Sequence, residues 1–107
     1  MTQYTREQIV EKVKQKASFD GVDLSGVDLS YENLKGANFA GANLGEAHLQ
    51  NTNLEGADFR GANLERAFMF GANLTNSIFD GAMLKDANLQ DTNLENASFV
   101  KADMEHI

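Results

Sequence analysis

The chain has no cysteine, no proline and no tryptophan. Without thiols it forms neither disulfides nor thiolate metal sites, which suits a reducing compartment. The longest uninterrupted apolar run is Ala67 to Phe70, far short of the roughly 20 residues a membrane-crossing helix needs. The opening Met1-Thr2-Gln3-Tyr4-Thr5 holds no apolar segment of the secretory kind. A cytoplasmic protein with no membrane partner is the expectation. Positive charge is scarce as well: nine bases face sixteen acids, for a net charge of −7. Residues 1–16 carry four bases and two acids, a net +2, so the remainder carries −9. A surface of that sign repels nucleic acid and anionic lipid and favours basic protein partners.

What the chain does have is a five-residue phrase repeated eighteen times between residues 17 and 106. Its centre is always apolar: Phe19, Leu24, Leu29, Leu34, Phe39, and so on to Phe99 and Met104. A small residue, most often Ala, stands two positions earlier, and Asn or Asp commonly lies between. Neither regular element keeps a period of five on one face. A helix would step successive centres around its axis by roughly 140°. A straight strand would alternate them between its faces. The chain must therefore turn once per phrase, as a solenoid. The small and central residues face inward, the residue between them faces out, and the other two form the corner.

The corner slot two after the centre holds Gly at eight phrases, from Gly21 to Gly81, and Asn at Asn51, Asn76 and Asn96. A type II turn needs positive φ there, which Gly supplies and Asn tolerates. Tyr31, Arg66 and Lys101 in that slot point to another turn type. The Phe centres at 19, 39, 59, 79 and 99 recur every twenty residues. Four phrases thus close one coil, and the rings share an internal column. The expected fold is an all-β solenoid, a quadrilateral β-helix of about 4.5 coils, with a length of ~22 Å at ~4.8 Å per coil. Asn33, Asn53, Asn73 and Asn93 line the fourth side as an amide ladder able to hydrogen-bond from coil to coil.

Residues 1–16 form a separate capping segment before the repeats at 17–107, with a helix expected over 3–16. Thr5 and Gln8 suit a capping box, and Ile9, Val10, Val13 and Ala17 make an apolar stripe. The stripe fits a cap over the first coil, or else a partner-binding amphipathic helix. Nothing comparable follows Met104. The last coil is expected to expose Leu89, Leu94, Phe99 and Met104, which points to a homodimer through the C-terminal coil. A looser terminal coil or a longer rod are the alternatives.

No constellation for catalysis, metal or cofactor emerges. His48 stacks over Asp28 by the twenty-residue rule, but Phe68 follows where a nucleophile would stand, so a solvated pair is the plainer reading. His106 falls in the terminal tail. Glu46, Arg66 and Asp86 share one corner as a mixed-charge edge. The anomaly is apolar: slots that should face water hold Phe68, Phe70, Ile78 and Met83. They lie within a coil of one another around the third, first and second sides and are read as a partner-binding surface, with Tyr31 at its margin. An irregular coil folding Phe68 over a corner, or weak self-association, would also produce them.

Ala42-Asn43-Leu44 and Ala62-Asn63-Leu64, in tandem with their neighbours, resemble the pentapeptide-repeat family. The resemblance covers residues 17–106 and implies a right-handed coil and a protein-binding rod rather than an enzyme. Some family members protect DNA gyrase with an acidic surface that imitates duplex DNA. This chain is shorter than those and has no room for their projecting loops. The reading is a non-catalytic protein–protein interaction rod that takes no cofactor and binds no nucleic acid directly. The alternative is an acidic DNA mimic directed at a type II topoisomerase through charges such as Asp58, Asp80 and Glu65.

Overall fold

The computed structural model describes residues 2–107; Met1, which begins the expected capping segment, lies outside the described residues. Every phrase turns as its spacing requires. Around Phe19, the Val22 N–H donates to the Phe19 carbonyl at 2.9 Å, and Gly21 between them has a φ of +74°. Positive φ recurs at every such slot, glycine or not: Tyr31 has 65°, Arg66 58° and Lys101 58°. The expectation of another turn type at those three residues is thereby corrected. At two of the three, the next coil holds the turn in place. The Tyr31 N–H donates to the Gln50 carbonyl at 3.1 Å, and the Arg66 N–H to the Lys85 carbonyl at 2.9 Å, both in the following coil. A different turn would break that bond and the register above it. Their loss outweighs the roughly 1–2 kcal/mol that a left-handed residue costs.

The coils stack in parallel with a step of twenty residues. Bridges join Ser18, Asn38, Asp58, Ile78 and Ser98 on the first wall, and Asp23, Asn43, Asn63, Met83 and Asp103 on the second. The third wall joins Asp28, His48, Phe68 and Asn88, and the fourth joins Asn33, Asn53, Asn73 and Asn93. Behind the first wall runs the expected aromatic column. Successive centroids from Phe19 to Phe99 lie 5.2, 5.7, 4.8 and 4.8 Å apart. Phe19, Phe39, Phe59 and Phe79 are buried, as are the Leu and Met centres through Leu84. Two polar residues in inward slots are fully buried and are satisfied there. Thr52 and Ser77 donate their hydroxyls to the Leu49 and Leu74 carbonyls at 2.7 and 2.6 Å.

The fourth-wall amides work differently from the expected ladder. Each Oδ1 accepts the backbone N–H two residues on, from Asn33 with Lys35 to Asn93 with Glu95. Such local capture is the usual habit of Asn in turns. A coil-to-coil amide bond occurs instead on the second wall, where Asn63 Nδ2 donates to Asn43 Oδ1 at 3.2 Å.

The helix α1 spans Arg6–Lys14, shorter at both ends than the expected 3–16. The Thr5 hydroxyl accepts the Gln8 N–H and Gln8 Oε1 accepts the Thr5 N–H, which fixes the start. Lys16, at φ 60°, ends it: the Lys16 and Ala17 N–H groups donate back to Val13 and Lys12. Ile9 and Val13 are buried, and α1 is tied to the coils by Arg6. Arg6 Nε lies 2.6 Å from Glu32 Oε2, while its terminal nitrogens donate to the Asp28 and Ser30 carbonyls. Among the described residues no helix is long and apolar enough to cross a membrane.

Candidate interaction surface

Every phrase has one outward residue just before its centre, and its side chain has a regular task. In thirteen phrases an oxygen of that residue accepts the N–H two positions later. His48, Phe68, Ile78 and Met83 stand in the same slot and offer no such oxygen. Each gives up a hydrogen bond of about 1 kcal/mol. Three of these four belong to the apolar set singled out from sequence.

The structure does not gather that set on one face. Phe68 lies on the third wall with Phe70 at the corner that follows it, Met83 on the second and Ile78 on the first. In a four-walled coil the first and third walls are opposite, so Ile78 and Phe68 face away from each other. The twenty-residue step already spreads the set around the third, first and second sides, since two phrases of separation amount to half a coil. Phe68 is 38 % exposed, Phe70 36 % and Met83 42 %, whereas Ile78 is partly buried.

What the third wall does assemble is a small aromatic field. The His48 and Phe68 rings stack at 4.6 Å with 14° between their planes. Phe70 follows two residues later at the corner, with Gln50 one coil before it in the same corner column. Gln50 Oε1 is buried without a hydrogen-bond partner among the described residues. Tyr31 stands at the corner, 75 % exposed. Between Asp28 at the start of this wall and Asp91 at its end, no outward residue is charged. Sequence reasoning paired His48 with Asp28 rather than with Phe68, although the twenty-residue step links all three.

That pairing forms no catalytic dyad. The Asp28 carboxylate accepts the Ser30 hydroxyl at 2.7 Å and the Ser30 N–H at 3.0 Å, and Arg6 Nη1 lies 3.5 Å away. The Ser30 hydroxyl above all, then its amide, hold the Asp28 carboxyl below the usual carboxylate range. Asp58 is likewise lowered, chiefly by the Arg60 guanidinium 2.6 Å away. Asp80 Oδ1 accepts the Ser98 hydroxyl and the Val100 N–H at 2.5 and 3.0 Å. Asp58 and Asp80 are therefore engaged within the fold. At the mixed-charge corner Arg66 Nε lies 3.6 Å from Glu46, and His106 Nδ1 lies 3.0 Å from Asp86. Among the described residues no group of His, Asp and Glu could hold a metal ion.

The C-terminal coil opens as expected. Leu94 and Met104 are 40 % and 43 % exposed, and Leu89 and Phe99 are partly buried. With His106 and Ile107 they line a concavity of about 650 Å³. Two smaller clefts lie near the N-terminal end: one of about 350 Å³ beside Tyr4 and Val22, the other of about 340 Å³ against α1 beside Val10 and Val13.

The sequence matches the pentapeptide-repeat pattern over residues 17–56, 37–76 and 69–105. A comparison with curated proteins found no match. Among solved structures, the chain is similar to HetL of the cyanobacterium Nostoc sp. strain PCC 7120, a pentapeptide-repeat protein involved in regulating heterocyst differentiation. The two share 26% identity at a TM-score of 0.76, over 94% of this chain and 45% of HetL. The chain thus spans less than half of HetL. A pentapeptide-repeat protein of the Arabidopsis thaliana thylakoid lumen shares 29% identity at a TM-score of 0.61, over 95% of this chain and 68% of that one. Another, from Nostoc PCC 7120, shares 30% at a TM-score of 0.53, over 87% of this chain and 74% of its own. The first two neighbours give the coil its hand: a right-handed quadrilateral β-helix.

Proposed function

The chain belongs to the pentapeptide-repeat family, and on that premise we propose that it is a non-catalytic rod that binds another protein through its third wall. The observation that carries this reading is Phe68, with Phe70 at its corner, on the uncharged middle of the third wall, where the Phe68 position forgoes a cap that most phrases keep. Interface centres are enriched in aromatic residues and poor in charge. The rest of the rod is acidic, so the partner surface combines an apolar patch with a basic rim. Met83, on the adjacent wall, reaches only a partner that wraps the corner, and Ile78 lies beyond it. Cytoplasmic residence belongs to the same reading, since a chain without cysteine suits a reducing compartment.

The test is a double substitution, Phe68→Ser with Phe70→Ser, compared with Ile78→Ser plus Met83→Ser. A partner is first captured from the source cell, then purified and titrated against each form. The third-wall pair should weaken binding by roughly 100-fold, as central aromatic anchors do, and the other pair should change it little. Equal affinity for the native chain and the Phe68/Phe70 variant would remove the reading.

Two further parts of this proposal rest on separate observations. The open apolar section at Leu89, Leu94, Phe99 and Met104 pairs with a second copy. Light scattering should show a dimer that Leu94→Asp plus Met104→Asp converts to monomer; a monomeric native chain at all concentrations excludes it. The second reading, a DNA mimic acting on a type II topoisomerase, rests on the second wall, where Glu46, Glu65, Asp86, Asp103 and Glu105 outnumber Arg66 and Lys85. Its contacts would weaken steeply with salt. A gyrase supercoiling assay indifferent to the protein removes it.

A further inference from the structure

Where α1 meets the fourth wall, the sign of the surface reverses. The cleft of about 340 Å³ there is lined by Lys14, Lys16 and Lys35 together with Val10, Val13, Glu32 and Asn33. Its one carboxylate, Glu32, is taken by Arg6 at 2.6 Å. Lys35 has only a loose, exposed contact with Glu55 at 3.8 Å. Among the described residues no carboxylate lies within ion-pair distance of Lys14 or Lys16.

The helix end accounts for part of this cluster and not for the rest. Lys14, in the last turn, complements the partial negative charge of the helix C-terminus. Lys16 occupies the left-handed position after the helix, where glycine is the usual residue. A lysine there weakens the helix stop. Its Nζ reaches across to the next coil: a Cβ placed on Gly36 would lie 2.7 Å from it. Glycine at 36 thus leaves the room that the ammonium fills. Lys35 arrives from the coil and owes nothing to α1. Beside it, Asn33, which also lines the cleft, spends its Oδ1 on the Lys35 N–H at 3.2 Å and keeps its NH₂ as a donor.

We propose that this cleft binds a phosphorylated small molecule of mononucleotide size or smaller. Lys14, Lys16 and Lys35 hold the phosphate oxygens, Asn33 donates to them, and the body of the ligand lies against Val10. Three ammonium groups suit a dianionic phosphate better than a single carboxylate. The volume falls at the lower end of small-molecule sites, about 300–1,000 Å³. A nucleic-acid strand is the wrong ligand, because its neighbouring phosphates would lie against repeats of net −9. A compact anion can use an isolated basic cleft in an acidic protein; a polyanion cannot.

The test is a titration of the isotopically labelled chain with inorganic pyrophosphate and, separately, with AMP, followed by amide NMR. Saturable shifts are expected at Lys14, Lys16, Lys35 and Gly36, weakening several-fold between about 20 and about 200 mM NaCl. Lys16→Gly separates binding from structure, because its two effects have opposite signs. It should raise the thermal midpoint by relieving the left-handed strain, yet weaken pyrophosphate binding at least threefold. Lys35→Gln should weaken binding similarly with an unchanged midpoint. The proposal is overturned by shifts that do not saturate or that spread over the other walls. It is equally overturned by native affinity in both variants, or by duplex DNA binding at the same lysines.

Discussion

The third and fourth walls share one backbone and differ in what they place on it. Both step by twenty residues through parallel bridges. On the fourth, Asn33, Asn53, Asn73 and Asn93 each accept the N–H two residues on, at 3.2, 3.1, 3.1 and 3.0 Å. On the third, Asp28 and Asn88 do so, while His48 and Phe68 stack on each other instead. The coil closes equally well on both. The side-chain caps are therefore increments added to a frame that the corner N–H bonds and the buried centres already hold. A wall can exchange them for a surface without losing its path.

The largest expected effect comes from removing what the walls share. Phe59 sits in mid-column with a ring above and below, and Phe59→Ala should cost about 3–5 kcal/mol. Phe99, at the open end, has a neighbour on one side only and should cost clearly less. Urea denaturation of the two variants decides this. Equal losses would mean that the column does not act as a stack.

Next comes the tie across the boundary between these two walls. Arg6 holds third-wall carbonyls and the fourth-wall Glu32 together. Arg6→Ala leaves a partly buried carboxylate unpaired and should cost about 1–3 kcal/mol. Glu32→Ala restores the small residue usual in that inward slot and should be nearly neutral. In the double variant, loss of Glu32 should recover part of the Arg6 deficit. Additive losses would show that the two residues act separately.

Glu32 also marks what could have been read earlier. A charge in an inward slot is a legible exception, and the compensating arginine was in the capping segment all along. The Phe column was legible because burial leaves no freedom in a twenty-residue period. The turn at Tyr31 and Arg66 was not, because a hydrogen bond from the following coil decides it over the residue's own preference. The separation of Ile78 from Phe68 was legible as well, because two phrases are half of a four-phrase coil and ten residues therefore carry a side chain to the opposite face. For the candidate surface, sequence supplied the residues and the folded coil supplied their grouping, including the His48 stack.

A smaller effect sharpens the comparison at single slots. Asn73→Ala removes a cap and should cost about 1 kcal/mol. Phe68→Asn installs a cap and removes the His48 stack, two changes of similar size near 1 kcal/mol. Its stability should stay within about 0.5 kcal/mol of the native chain. If Phe68→Asn were strongly destabilising, the aromatic field would be part of the frame rather than a surface laid upon it.

The smallest effect is a pH dependence at one outward slot that its counterpart on the next wall lacks. Asp28 occupies on the third wall the slot that Asn33 occupies on the fourth. Its carboxyl is lowered first by the Ser30 hydroxyl, then by the Ser30 N–H and by Arg6. A carboxyl lowered on folding stabilises the fold fully above its unfolded pKa of about 3.9 and loses that contribution as pH falls below it. Its side chain is 63% exposed, so solvent screens most of the interaction. Urea midpoints measured from neutral pH down to about pH 3 should therefore fall slightly less in Asp28→Asn than in the native chain. Asn33→Ala should lower the midpoint equally at every pH, because an amide does not titrate. An acid slope unchanged by Asp28→Asn would place the titrating contribution elsewhere, with Asp58 beside Arg60 on the first wall as the next group to test.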